Sequence, residues 1–266
     1  MSQRLAFVGA GMMGGTLIAG LLAAGRQPAD IVAVENRAER RSKLSQEYGI
    51  EAVAEMSAIS GAEVVVLAVK PQAVDAALAE LAEQLPAEAV LVSLCAGISC
   101  SRIEDALPAG QPVVRVMPNT PAQVGAGAAA VSAGSAATTE QTELARDLLQ
   151  TVGTAVIVPE SYLDAVTAVS GSGPAYLFLV AESLIESGVN LGLPRDIATE
   201  LAVQTIFGSA TLLRESGTHP ALLREQVTSP GGTTAAGLGQ LEEYRVRAAF
   251  AAATRAARDR SVELGG

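Results

Sequence analysis

The sequence predicts an α/β chain, with an amino-terminal doubly wound sheet followed by an all-α second half. Three observations predict it. The first half alternates short apolar runs with helix-period stretches, a glycine turn joins the first run to the first helix, and the pattern becomes purely helical near Pro159. With 266 residues, 49% of them hydrophobic, the chain can fill two modest domains, expected at 1–160 and 161–266.

The elements follow in order. Leu5-Ala6-Phe7-Val8 reads as a short buried strand, then the glycine turn, then a helix to about Ala24. Ile31–Val34 is a second strand and Ala38–Glu47 a charged amphipathic helix. Val64–Val69 is a third strand, Ala73–Gln84 a helix, Val90–Leu94 a fourth strand and Val113–Val116 a fifth. Gly125–Ala137 is expected to give only a strand and a loop. Continuous apolar strands separated by helices indicate a parallel sheet covered on both faces. From Ser161 onward Ala, Leu and Glu recur at helical spacing, punctuated at Ser170–Pro174, Gly192–Pro194 and Ser229–Gly232. The helix Ala175–Ser187 is apolar around more than one face and has little of its own chain to bury it. A second copy of the chain is therefore its expected partner.

Composition excludes several functions. A formal net charge of −10 repels phosphate backbones, so no nucleic-acid partner is expected. Two cysteines, Cys95 and Cys100, and the single His219, in an expected loop, make neither a disulfide framework nor a zinc cluster. They read as buried reduced thiols, and no metal is expected. Met1-Ser2-Gln3-Arg4 leads straight into a strand, unlike a signal peptide, and no apolar run reaches the ~20 residues of a membrane span. The expectation is a soluble cytoplasmic protein.

The chemistry begins at Gly9-Ala10-Gly11-Met12-Met13-Gly14. Following a strand and opening a helix, this G-x-G-x-x-G run is the fingerprint of a Rossmann-like dinucleotide-binding domain. Gly9 permits the tight turn, Gly11 lets the backbone approach a pyrophosphate, and Gly14 allows close helix–strand packing. The helix start supplies free N–H groups. The second strand ends in Glu35-Asn36-Arg37. If Glu35 faces the ribose it favours NADH; if Asn36 and Arg37 form the pocket they welcome the 2′-phosphate of NADPH. The Asn-Arg pair tilts the reading to NADPH, with NADH left open.

The chain is poor in proton donors. Its two lysines, Lys43 and Lys70, lie in the first half, so the helix-borne lysine of the β-hydroxyacid dehydrogenases is missing. A protonated imine carries its own proton, so the scarcity favours C=N⁺ over a ketone, although Tyr162, Tyr176 or Tyr244 could donate.

Further segments then converge: Ala68-Val69-Lys70-Pro71-Gln72, Ala96-Gly97-Ile98 and Arg115-Val116-Met117-Pro118-Asn119-Thr120-Pro121-Ala122, all after apolar strands. The second half adds Ala168–Tyr176 and Val227-Thr228-Ser229-Pro230-Gly231-Gly232-Thr233-Thr234. In this order, over essentially the whole chain, they closely resemble the pyrroline-5-carboxylate reductase family. The resemblance implies reduction of the cyclic imine 1-pyrroline-5-carboxylate to L-proline with NADPH or NADH. It implies a substrate carboxylate held at Gly231, Gly232, Thr233 and Thr234, with the Thr234 hydroxyl on the ring nitrogen as the catalytic contact. Cofactor contacts are implied at Gly9, Gly11, Met12, Met13, Gly14, Asn36, Arg37, Ala68, Val69, Lys70, Pro71, Ala96 and Gly97, with Asn119 and Thr120 beside the nicotinamide. It also implies homodimers built through the helical domain, or rings of such dimers, with active sites between subunits. Glu35 ahead of the Asn-Arg pair is the departure bearing on cofactor preference. Two other readings stay open: a reductase of another small cyclic imine, and a non-catalytic NADP-sensing module, which would not need a second anion site at Ser229–Thr234.

Overall fold

Four strands of the computed structural model are wholly buried and wholly apolar: β1 (Leu5–Val8), β2 (Ile31–Val34), β4 (Val64–Leu67) and, save its last residue Ser93, β5 (Val90–Ser93). Successive strand side chains point to opposite faces, and here both faces are covered. Leu5, Phe7, Ile31, Ala33, Val64, Val66, Val90 and Val92 pack into one core, while Ala6, Val8, Val32, Val34, Val65, Leu67 and Leu91 pack into the other. The first core receives α1 (Met12–Ala23), α2 (Ala38–Tyr48) and α5 (Thr139–Gln150); the second receives α3 (Val74–Gln84) and α4 (Cys100–Asp105). Burying a side chain as large as Phe7 contributes roughly 1.5–3 kcal/mol. The structure describes residues 3–265, so Met1 and Ser2 of the expected N-terminal reading lie outside it.

The sheet has eight strands in the order β3-β2-β1-β4-β5-β6-β7-β8, where β3 is Glu51–Val53, β6 Val113–Met117, β7 Gly127–Ala133 and β8 Gly153–Ile157. The doubly wound α/β expectation holds, and every pairing is parallel except β6 with β7. Two boundaries need correction. The third expected strand ends at Leu67 rather than Val69, and the helix after it begins with a 3-10 turn at Pro71–Ala73. Pro71 fixes its own φ and disfavours sheet geometry there.

The described chain divides into two compact units, Met1–Ser172 with Ala257–Gly266, and Gly173–Ala256. In the first, β8 is followed by α6 (Leu163–Val166) and a π-helical turn, Thr167–Gly171. The carboxy-terminal end of α11 (Val246–Gly265) also belongs to it, and Ser261 Oγ donates to Asp164 Oδ1 at 2.7 Å. The second unit contains α7 (Gly173–Asn190), α8 (Arg195–Ser216), α9 (Pro220–Gln226) and α10 (Thr233–Glu243). There α7 and α8 form a hairpin closed by Gly192 at φ +98, with Gly188 close to Ala198. His219 is not simply in a loop: it caps α9, its Nδ1 accepting the Ala221 N–H at 3.2 Å.

No residue of α7 is buried in the single chain, and Leu177, Phe178, Leu179 and Leu184 are all exposed. The run Glu160–Asn190 is long and apolar enough, by length and composition alone, to cross a membrane. It is interrupted by Asp164, Glu182 and Glu186, so no uninterrupted apolar run in it reaches the ~20 residues of a span. The composition suffices because residues 165–181 carry no charge, whereas periodicity reads Ala175–Ser187 as a packing helix.

Candidate functional site

Two of the turn's three glycines, Gly9 and Gly14, are required by the protein's own packing. Gly9 has φ +83, and a methyl added there would lie 2.8 Å from Val69 Cγ1 and 2.9 Å from Ala68 O. A methyl on Gly14 would lie 2.7 Å from Gly9 O and 3.3 Å from the Ala68 methyl, so α1 and β4 can approach only without it. A methyl on Gly11 would meet nothing within 4 Å and would stand in open space. α1 starts at Met12 with Gly11 as N-cap and no side-chain cap, leaving its first N–H groups to a ligand. Met12 is exposed and Met13 half-buried.

Beside this turn lies a cleft of about 380 Å³. It brings together Gly9, Gly11, Asn36, Arg37, Ala68, Val69 and Lys70 from the sequence reading, and adds Glu35 and the small residues Ala73, Ala76 and Ala77. Met12, Met13, Gly14, Pro71, Ala96, Gly97, Asn119 and Thr120 are not part of its lining. Lys70 is exposed, just ahead of the 3-10 turn that starts at Pro71. The void at Gly11, the uncapped helix start and the cationic Arg37 and Lys70 fit a phosphorylated dinucleotide.

Glu35 follows β2 directly and lines the cleft together with Asn36 and Arg37. It is only 8% exposed. Its Oε1 accepts the Arg37 backbone N–H and Nε, both at 3.1 Å, and its Oε2 accepts the Ala10 N–H at 3.4 Å. Burial pushes its carboxyl up, but the bonds from Arg37 and Ala10 outweigh this, so it titrates below the ordinary carboxylate range. Asn36 and Arg37 are exposed. Arg41 Nη1 donates to the carbonyls of Glu35 and Asn36, both at 2.8 Å, and fixes the corner from behind.

Of the remaining sheet-end residues, Ala96, Gly97 and Asn119 lie on loops and Thr120 opens a 3-10 turn, Thr120–Val124. Ala96 is exposed, and Gly97 sits at φ +74 near Leu264. Asn119 is buried and engaged at both ends: Nδ2 donates to Ser170 O at 3.0 Å, and Oδ1 accepts the Ala128 N–H at 2.8 Å. It brackets β7 to the π-helical turn, so Thr120, which is exposed, is the freer side chain of the pair.

In the helical unit, Gly231 adopts φ +68 and Gly232 is the N-cap of α10, again without a side-chain cap. Gly232 N donates to Ser229 O at 3.0 Å, which closes the turn. Thr233 is exposed and Thr234, on the first turn of α10, is half-buried.

Sequence reasoning missed three features. Arg40 donates to the carbonyls of Ala10 and Gly11, Arg115 pairs with Glu160 at 2.9 Å, and Cys100 N donates to that same Glu160 oxygen at 2.8 Å. The Arg40–Arg41 pair three residues after Arg37 was the one available signal, since three arginines near a strand end suggest shared anionic or carbonyl partners.

Two family models match the chain. Residues 4–97 match the NADP oxidoreductase coenzyme F420-dependent family, and residues 160–264 match pyrroline-5-carboxylate reductase dimerisation. A pyrroline-5-carboxylate reductase of Corynebacterium melassecola is 48% identical over 98% of both chains, and one of Pseudomonas aeruginosa is 44% identical over 99% of this chain and 97% of that one. The solved reductase of Coxiella burnetii superposes with a TM-score of 0.96 at 34% identity, each chain covered fully. The Plasmodium falciparum pyrroline carboxylate reductase, solved with NADP bound, gives 0.87 at 28% identity, with 99% of this chain and 98% of that one covered. A cleft beside the glycine turn of the sheet, a second uncapped glycine turn on the helices and end-to-end likeness to these proteins agree: the chain belongs to the pyrroline-5-carboxylate reductase family.

Proposed function

We propose that the chain reduces 1-pyrroline-5-carboxylate to L-proline, the last step of proline biosynthesis, with NADPH as the preferred and NADH as the second cofactor. The observation that carries this reading is the engaged Glu35, which leaves Asn36 and Arg37 to a 2′-phosphate in a chain of this family. When bound, the nicotinamide supplies the hydride. The residues do the rest by positioning, which alone accounts for a large part of such a barrier.

In this reading 1–160 is the dinucleotide domain and 161–266 the substrate-binding and dimerisation domain. The N–H groups of Gly11, Met12 and Met13 take the pyrophosphate, while Gly9 and Gly14 hold the turn open. Ala68, Val69, Lys70 and Pro71 flank the adenosine and its ribose, Ala96 and Gly97 follow along the cofactor, and Asn119 and Thr120 border the nicotinamide. Gly231, Gly232 and Thr233 hold the substrate carboxylate at the start of α10. The Thr234 hydroxyl bonds the ring nitrogen. Reducing C=N⁺ neutralises the cation, so no acid is needed at the carbon, in keeping with a helical unit that lacks lysine.

The exposed apolar faces of α7 and α8 support a homodimer as the smallest working unit, and the matched dimerisation model supports homo-oligomerisation. The free thiols Cys95 and Cys100 fit a reducing cytoplasm, and the net charge of −10 argues against nucleic acid as a partner. The test is turnover: purified protein given 1-pyrroline-5-carboxylate should consume NADPH and release proline. No turnover with either cofactor at millimolar substrate rejects the reading.

A further inference from the structure

We propose that Arg40 is a positioning residue for the dinucleotide pyrophosphate, clamping the carbonyl side of the glycine turn so that its N–H groups face the ligand. The proposal rests on reading that turn as the cofactor cradle. Arg40 lies in the first turn of α2 and is not among the residues lining the cleft. Its Nε donates to Ala10 O at 2.8 Å and its Nη2 to Gly11 O at 3.2 Å.

In a trans peptide the N–H points opposite to its carbonyl. The Ala10–Gly11 peptide, held at its oxygen by Arg40, therefore turns the Gly11 N–H away from the guanidinium. The Gly11–Met12 peptide does the same with the Met12 N–H. These are the donors at the uncapped start of α1. The two N–H groups ahead of these are already used, Gly9 on Val34 O at 2.8 Å and Ala10 on Glu35 Oε2 at 3.4 Å. Side chains from one corner thus sort the turn's polar groups, with carbonyls facing back and donors facing the phosphates. A cation bonded behind the two peptides also polarises their N–H groups toward an anion.

Gly15 is an independent observation. The dinucleotide fingerprint is complete at Gly14, and alanine is the better residue inside a helix. Yet a methyl built on Gly15 would overlap Arg40 Nη2. Gly15 is the gap through which the Arg40 guanidinium reaches the turn.

The experiment is calorimetric titration of wild type, Arg40→Met, Arg40→Lys and Gly15→Ala with NADPH, NADH and adenosine 2′-phosphate, which has no pyrophosphate. For Arg40→Met both dinucleotides should weaken by about tenfold, at an unchanged NADPH-to-NADH ratio, while adenosine 2′-phosphate binds as before. Arg40→Lys should recover part of the loss. Gly15→Ala should weaken both dinucleotides without lowering the melting temperature and add little to Arg40→Met, because both act on one contact. Weakening of NADPH and adenosine 2′-phosphate alone would make Arg40 a direct 2′-phosphate ligand and overturn the proposal. Unchanged dinucleotide binding, or equal loss of all three probes, would overturn it too. Wild type that binds neither dinucleotide would instead sink the cofactor reading itself.

Discussion

Arg37 Nε lies 3.1 Å from Glu35 Oε1, and the other oxygen of that carboxylate accepts the Ala10 N–H. An acid at the end of the second strand usually favours NADH, but here, in the wall of the cleft, its charge is matched by Arg37 and its two oxygens accept from Arg37 and Ala10. Arg37→Ala should therefore do two things. NADPH loses a charge-assisted partner for its 2′-phosphate, and Glu35 is freed to accept from a ribose hydroxyl. Binding should weaken by roughly tenfold or more for NADPH and change little for NADH, read by fluorescence titration. Equal weakening of both would remove the Asn36–Arg37 corner as the 2′-phosphate pocket.

The Glu160 carboxylate joins Arg115, only 12% exposed along its side chain, to the Cys100 N–H at the start of α4. Burial raises its carboxyl, but Arg115 and the Cys100 amide lower it further, for a net shift below the ordinary range. A carboxyl lowered on folding stabilises the protein above its unfolded pKa, and that stability is lost as pH falls through the folded value. Glu160→Gln should cost about 1–2 kcal/mol near neutrality, because Arg115 loses its charged partner. The gap to wild type should close as pH drops below about 4. Urea melts at two pH values check this, and a gap independent of pH would contradict it.

The same neighbourhood silences a thiol. Burial pushes the Cys100 thiol up to about 12, and the adjacent Glu160 adds to the shift. Cys95 is also raised, again by burial, while its Sγ donates to Leu67 O and Val69 O. Thiolates react and thiols do not. Neither cysteine should be alkylated by iodoacetamide at pH 8 in the folded protein, and both should be modified once it is unfolded. Mass spectrometry of intact protein reads the result directly, and rapid labelling of the native chain would show that one of the two sites opens.

The wholly apolar strands were legible because burial on both faces leaves an unbroken run, as in Val64–Leu67. The edge strands were not. Glu51–Val53 is short and only half-covered, and Gly153–Ile157 buries only Ala155, so neither shows an unbroken apolar run. β7, inside the sheet, was read as a strand, but its plain composition does not show its antiparallel pairing with β6. α5 was not read, although its capping box, Thr138 with Gln141, was the signal available in the sequence. At the site, the glycine roles followed from spacing alone. The Glu35 register did not, since one residue of shift exchanges the two cofactor answers. Nor did Arg115–Glu160, whose partners lie 45 residues apart and meet only through tertiary packing.

Phe178 is 68% exposed on a helix that buries none of its side chains in the single chain. A charge placed there costs the monomer little but would be desolvated against a second copy, at a cost of several kcal/mol. Phe178→Glu should leave the helical circular dichroism intact and convert the protein to a monomer in sedimentation at micromolar concentration. A variant that stays oligomeric would move the interface off this face of α7, and a wild type that sediments as a monomer would remove the homodimer altogether.

Thr234 stands on the first turn of α10, two residues past the Gly232 N-cap. In the proposed function the backbone donors of that turn hold the carboxylate whatever residue occupies position 234, so the carboxylate and the ring nitrogen are separable functions. Thr234→Ala keeps the backbone and removes only the hydroxyl. If that hydroxyl bonds the ring nitrogen more strongly as the nitrogen loses its charge, its removal lowers kcat by roughly tenfold to a hundredfold, the range of one neutral hydrogen bond at a reacting group. NADPH affinity should stay within about twofold of wild type, because the proposed site for the cofactor phosphates is the start of α1. Thr234→Ser, which restores the hydroxyl, should recover most of the rate. An unaltered kcat in Thr234→Ala would take the hydroxyl out of the reaction and leave this turn as a carboxylate site alone.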